Sequence, residues 1–166
     1  YDGNIRWFKT KELWDCLLID SEECISDEAV KKSSAKLFPK DTVVMAMYGA
    51  TIGRLAILTQ GGATNQACCA IIPKDEVFTH HFAFHWLKSN REHILGFRMG
   101  AAQENISQTV IKELMILKPA NDVVVDFNGL MDVNYKSTLN LGKQVNMLKE
   151  ARDILLPRLM NRTIEV

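Results

Sequence analysis

From Phe127 to Leu155 one side of the chain repeats with a heptad beat. Phe127, Leu130, Asn134, Ser137, Leu141, Gln144, Leu148, Ala151 and Leu155 stand alternately three and four residues apart. Residues at that spacing share one stripe of an α-helix. Such a helix, running from Asp122 to Leu155, would be about 50 Å long, far longer than a small domain needs. A lone helix leaves the stripe in water, and each leucine covered by a partner is worth roughly 1.5–3 kcal/mol. The pattern therefore predicts a partner helix, with pairing through Phe127, Leu130, Leu141, Leu148 and Leu155. Asn134, Ser137 and Gln144 interrupt the stripe, which weakens the contact and favours one register. Asn121 is placed to cap the helix, with Asp122 and Asp126 in its early turns.

The composition ahead of this helix is different. Asp41 to Met47 and Arg54 to Thr59 are β-rich runs separated by a turn that Gly49 and Gly53 bound. A Gly-Gly turn follows, then Thr64-Asn65-Gln66-Ala67, and Gln66 to Ile72 reads as a buried central strand ended by Pro73. Ile5, Trp7 and Phe8 suggest a short edge strand or an anchored arm, and Lys11 to Leu18 one or two helical turns. Ser26 caps a short helix. Val77, Phe78, Phe82, Phe84, Trp86, Leu87, Ile94 and Leu95 fall at helical spacing, with Thr79 as the cap. Gly96 and Gly100 frame a loop. Ser107 caps a helix with Val110, Ile111 and Leu114 on one face, and Met115 to Leu117 reads as a last strand. The expected fold is α+β: a globular mixed-sheet head over residues 1–120, then a long coiled-coil-forming helix over residues 121–166.

Charge and chemistry narrow the function. Twenty basic residues balance twenty acidic ones, whereas a domain that binds DNA alone usually carries a basic excess. The distribution is uneven: six acids and no base lie between Asp15 and Glu28, while Lys31, Lys32, Lys36, Lys40 and Arg54 face Asp41 alone. No apolar run approaches the ~20 residues of a membrane span. Four cysteines without framework spacing suit a reducing cytoplasm. His81 and His85 stand four apart, but Phe82-Ala83-Phe84 fills the gap and the zinc-protease pattern is absent. Cys68 and Cys69 point to opposite faces of a strand and read as buried small hydrophobes. No phosphate-loop Gly-Lys-Ser/Thr, base-methylation Asn-Pro-Pro-Tyr or nuclease carboxylate-plus-lysine pattern occurs, so no catalytic residue, metal or cofactor is expected. Gly49 and Gly53 divide between permitting a positive φ and letting the backbone approach a phosphate.

The order strand, Gly-flanked turn, strand, turn, strand over residues 37–67, with Tyr48-Gly49-Ala50-Thr51-Ile52-Gly53-Arg54 at its centre, resembles the target recognition domain of type I restriction-modification specificity subunits. Gly100-Ala101-Ala102-Gln103-Glu104-Asn105-Ile106-Ser107 is similar to that family's Gly-x-x-Gln-x-Asn-Ile-Ser stretch. Gly3-x-Ile5-x-Trp7 resembles the entry into such domains, and residues 141–166 resemble the helical spacer that closes them. The resemblance implies a non-catalytic, cytoplasmic chain that reads one half of a split target in double-stranded DNA. Methylation (M) subunits would dock on it, and through the complex the restriction (R) subunit; those subunits would bind S-adenosylmethionine and ATP. Family members usually carry two recognition-domain-plus-helix units. This chain has no internal repeat and reads as one unit, the C-terminal half of a longer protein, whose helix meets a sister half or a second copy. Candidate DNA contacts are Lys40, Thr51, Arg54, Asn65, Gln66, Arg98, Gln103, Asn105 and Ser107. The motif residues among these suit backbone contact, while variable Arg, Lys, Asn and Gln suit base edges. Two rival readings stand beside this one: a protein-interaction module assembling through its heptad helix, which the neutral charge favours, and a stand-alone enzyme resting on the histidines.

Overall fold

A computed structural model describes residues 3–75, 78–100, 104–161 and 163. Among these residues eight short strands form two four-stranded mixed sheets. The first sheet contains β1 (Ile5–Phe8), β3 (Glu23–Ile25), β4 (Leu37–Phe38) and β7 (Gly62–Thr64), in the order β3-β1-β7-β4. The second contains β2 (Cys16–Leu18), β5 (Val43–Ala46), β6 (Leu55–Leu58) and β8 (Cys68–Ile71), in the order β2-β6-β5-β8. Among the described residues there are also five α-helices: α1 (Asp27–Lys31), α2 (His80–Ser89), α3 (Arg91–Leu95), α4 (Gln108–Lys112) and α5 (Asn121–Met160). The fold is α+β, with mixed sheets and a long C-terminal helix.

All residues of β5 and β6 are buried because both faces of their sheet are covered. Val43, Met45, Leu55 and Ile57 meet Ala83, Phe84 and Leu87 of α2, Ile94 of α3, and Ile106. The alternate residues Val44, Ala46, Ala56 and Leu58 meet Phe8, Leu13 and Leu18. Antiparallel register sets Val43 opposite Ile57 and Met45 opposite Leu55. Each fully buried large side chain here contributes roughly 1.5–3 kcal/mol. Cys68 lies in the same inner core, where burial pushes its thiol up to about 12, the behaviour of an inert hydrophobe.

Several sequence expectations need correction. β1 is an interior strand, pairing antiparallel with β3 and parallel with β7, so Ile5–Phe8 is no edge. Lys11 to Leu18 holds a 3-10 turn (Thr10–Glu12) and then β2, which a parallel partner in β6 recruits. β8 is buried at Cys68 and Cys69 yet sits at the sheet's edge, and Gly62 belongs to β7, with Phe8 against it. Residues 115–117 form no strand: they lack a ladder partner, and Met115 and Leu117 are almost fully exposed. The cap of α5 is Ala120 without a side-chain bond, and Asn121 is its first helical residue. Val77 lies outside the described residues. The caps Ser26, Thr79 and Ser107 accept from the amides of Ala29, Phe82 and Val110.

α5 is 40 residues, about 60 Å. Val124 is its buried residue, and Tyr135 packs on the core beneath α2. Leu130, Leu141, Leu148 and Leu155 are exposed, so the heptad stripe is open to solvent. No helix among the described residues is long and apolar enough to cross a membrane.

The junction of α2 and α5 is histidine-rich and titrates accordingly. Burial lowers the His80 pKa, the neighbouring His81 and Lys40 add to that, and the Asp41 and Asp132 carboxylates oppose it. Burial likewise lowers His85, helped by Lys88 and His81. Groups whose folded pKa is depressed stabilise the fold above the unfolded value of 6.5, and that stability drains as pH falls through the folded value. The melting temperature is therefore expected to drop between pH 7.5 and 5, and the drop to shrink in His80→Gln; an identical pH slope in the variant would contradict this.

Candidate nucleic-acid interface

Strand β5 leads into Tyr48 and a 3-10 turn (Gly49–Thr51), and the chain returns through Gly53 into β6. Both glycines hold positive φ, 77° at Gly49 and 76° at Gly53. A Cβ on Gly49 would meet nothing within 4 Å, whereas one on Gly53 would stand 3.1 Å from Leu95 Cδ2. Gly53 is thus held by backbone sign and by contact with α3.

Two other loops come to the same end of the sheet. The Met47 amide donates to the Ala67 carbonyl (2.8 Å), and the Tyr48 hydroxyl donates to the Gln66 carbonyl (2.9 Å). These bonds seat the 65–67 loop beside the turn. From the third loop, Ile106 donates its amide to the Met47 carbonyl (2.8 Å), and Asn105 bridges both Tyr48 and Met99. Thr51, Asn65, Gln66, Arg98, Asn105 and Ser107 are thereby gathered from distant sequence positions. Asn65 Oδ1 accepts from the Cys68 thiol, and Ser107 caps α4. Arg98 donates to Glu104 (2.7 Å) and to the Leu95 carbonyl (2.8 Å). Phe97 and Met99 are exposed beside it. Gln103 lies outside the described residues. Lys40 is not brought in. It precedes β5 at the strand's opposite end, 3.7 Å from Asp41, so that the whole strand, about 13 Å for its four residues, lies between it and the turn.

Asp15 organises this end. Its backbone holds φ 57°, and its amide donates to the Leu55 carbonyl (2.8 Å). Its carboxylate accepts from the Leu55 amide (3.1 Å), from Arg54 Nη1 (3.2 Å) and from Arg91 Nη2. Arg91 also donates Nε to the Gly53 carbonyl (2.9 Å), so one guanidinium joins α3, the turn and the start of β2. Burial acts to raise the Asp15 carboxyl, but Arg91, the Leu55 amide and Arg54 outweigh it and hold it below the usual carboxylate value. The Arg54 guanidinium carbon stands 5.4 Å from the ring centroid of Trp14, which is 61% exposed. The ion pairs at this end bring Arg54, Arg91 and Arg98 together with Asp15 and Glu104.

Trp14, Asp15 and Arg91 carry no local sequence signal for this role. Asp15 and Arg91 are 76 residues apart, and only the fold joins them. No cluster of three or more metal-ligating side chains occurs among the described residues.

The described residues thus form a two-sheet head that bears a long helix with an exposed apolar stripe. The chain matches the family model for the type I restriction modification DNA specificity domain over residues 2–144, and it belongs to that family. The specificity subunit of type I restriction enzyme MjaIX from Methanocaldococcus jannaschii is 30% identical over 124 residues, covering 72% of this chain and 28% of the relative. That of HindI from Haemophilus influenzae is 24% identical over 168 residues, covering 99% and 36%. The chain therefore spans about a third of the length of these relatives. The crystal structure of a type I restriction-modification S subunit from M. genitalium shares the fold, with TM-score 0.65, 19% identity, and coverage of 95% of this chain and 38% of that one.

Gly53→Val is expected to destabilise the head by more than ~1 kcal/mol, because a β-branched residue at positive φ is strained and meets Leu95. Thermal unfolding without DNA checks this; an unchanged melting temperature would contradict it. Asp15→Ala strips three donors of their acceptor and is expected to cost about 2 kcal/mol.

Proposed function

We propose that the head reads one half of a bipartite target in double-stranded DNA as part of a type I specificity subunit. The observation that carries this is the convergence of three loops on one end of the β5–β6 hairpin. They present Thr51, Arg54, Asn65, Gln66, Arg98 and Asn105 together, with guanidinium and amide groups among them. Amide and guanidinium side chains are the groups that address adenine and guanine edges. Ser107 and the glycine turn suit contact with the DNA backbone. The chain itself performs no chemistry; methylation and restriction subunits of the same cytoplasmic complex supply it. The near-neutral composition supports a share of the phosphate contact for those subunits.

In this reading residues 1–120 choose the sequence and residues 121–166 set the distance to the second half. Exchanging the head for that of another family member is expected to change one half of the target and keep the spacing. The exchange should carry Val124, Asn128, Asp132 and Tyr135 with it, since these belong to the head's own packing. A changed gap between half-sites would reverse the assignment. The neutral charge also favours a protein-interaction module without sequence preference, and absence of any preferred target in the assembled complex would select that reading.

The open stripe on α5 calls for a second helix, from a sister half or another copy of this chain. The isolated chain is expected to self-associate through Leu130, Leu141, Leu148 and Leu155. Phe127 adds only its outer edge, because its ring packs on Phe82 and His85. Changing Leu141 and Leu148 together to Lys should give a monomer with its head folded. Light scattering decides: a wild-type chain that is monomeric at tens of micromolar contradicts self-pairing.

A further inference from the structure

The head is tied to α5 by three side-chain hydrogen bonds on one stripe of the helix. Thr79 Oγ1 donates to Asn128 Oδ1 at 2.7 Å. His81 Nε2 meets Asp132 Oδ1 at 2.8 Å. The Tyr135 hydroxyl donates to Asp41 Oδ1 at 3.0 Å. Positions 128, 132 and 135 are four and three apart, so all three face the head together. Their partners sit on elements that cannot yield easily. Thr79 is the cap of α2, and His81 lies in its first turn, 4% exposed. Asp41 holds a positive φ of 63°, and its amide is bonded to the Leu58 carbonyl. The Tyr135 ring also stands edge-on to His80 and His81, with centroids 5.4 and 5.3 Å away.

Apolar contact accompanies these bonds at Val124 and Phe127. Such contact is non-directional and tolerates sliding or rotation, whereas hydrogen bonds weaken steeply beyond ~3.2 Å or off line. The polar stripe therefore resists a change in the angle and axial position of the head on the helix more sharply than the apolar contacts do. One base pair of DNA is about 3.4 Å of rise and roughly 35° of turn. A head that followed its half-site by one base pair would break all three bonds at once.

We propose that Asn128, Asp132 and Tyr135 are positioning residues for target spacing: they lock the head on α5 so that the complex rejects targets whose half-sites are one base pair closer or farther. The proposal rests on the DNA-reading function above. Its test uses the assembled complex and a set of targets with the native gap and with gaps one shorter and one longer, with methylation rate on each as the readout. Asn128→Ala/Asp132→Ala/Tyr135→Phe, all on the helix, is expected to keep the half-site sequence and lose about tenfold in discrimination against the wrong gaps. Asp132→Asn, which keeps an acceptor for His81, is expected to retain the discrimination that Asp132→Ala loses. Tyr135→Phe keeps the ring and removes only the bond to Asp41, so it serves if the triple variant folds poorly; it is expected to show partial relaxation. Undiminished spacing discrimination in folded Asp132→Ala and Tyr135→Phe complexes would overturn the proposal. A wild-type complex with no preferred half-site would instead overturn the DNA reading itself, and this inference with it.

Discussion

One carboxylate ties together the end of the head at the glycine turn. Asp15 accepts from two guanidiniums and a backbone amide, and through Arg91 it reaches the Gly53 carbonyl and α3. A nearly buried anion is costly unless its lone pairs are filled, and here they are filled by groups from β6, the glycine turn and α3. The loops that carry the candidate contacts are bonded to the same β5–β6 hairpin, at Met47 and Tyr48. A recognition surface on loops requires such a scaffold, because ordering the loops at binding would cost affinity.

The layered packing explains why some of the fold is legible in the sequence. β5 and β6 are apolar without alternation because one face meets the other sheet and the other meets α2 and α3. The glycines at 49 and 53 and the capping Ser26, Thr79 and Ser107 are local signals, and they sit where local chemistry puts them. What the sequence misplaced depends on distant partners. β1 becomes interior only because β3 and β7 flank it, and β2 becomes a strand only because β6 runs parallel to it. Residues 115–117 have β propensity and no strand to pair with. The site divides the same way: the turn was visible as a motif, while Trp14, Asp15 and Arg91 become a unit only across 76 residues.

The long helix serves two faces at once. Val124, Asn128, Asp132 and Tyr135 turn toward the head, while Leu130, Leu141, Leu148 and Leu155 stay in solvent. The heptad count alone could see only the second stripe, since the first is largely polar and has no hydrophobic period. Under the proposed function the open stripe awaits a second helix while the opposite stripe holds the head.

Hydrogen exchange on the assembled complex, with cognate DNA and with DNA of unrelated sequence, tests most directly whether the three-loop end of the head is the reading surface. The account predicts that cognate DNA slows amide exchange over residues 48–54, 65–67 and 97–107 more than unrelated DNA does, and leaves the opposite end of β5 around Lys40 unchanged. Equal protection by both DNAs, or protection confined to the Lys40 end, would contradict it.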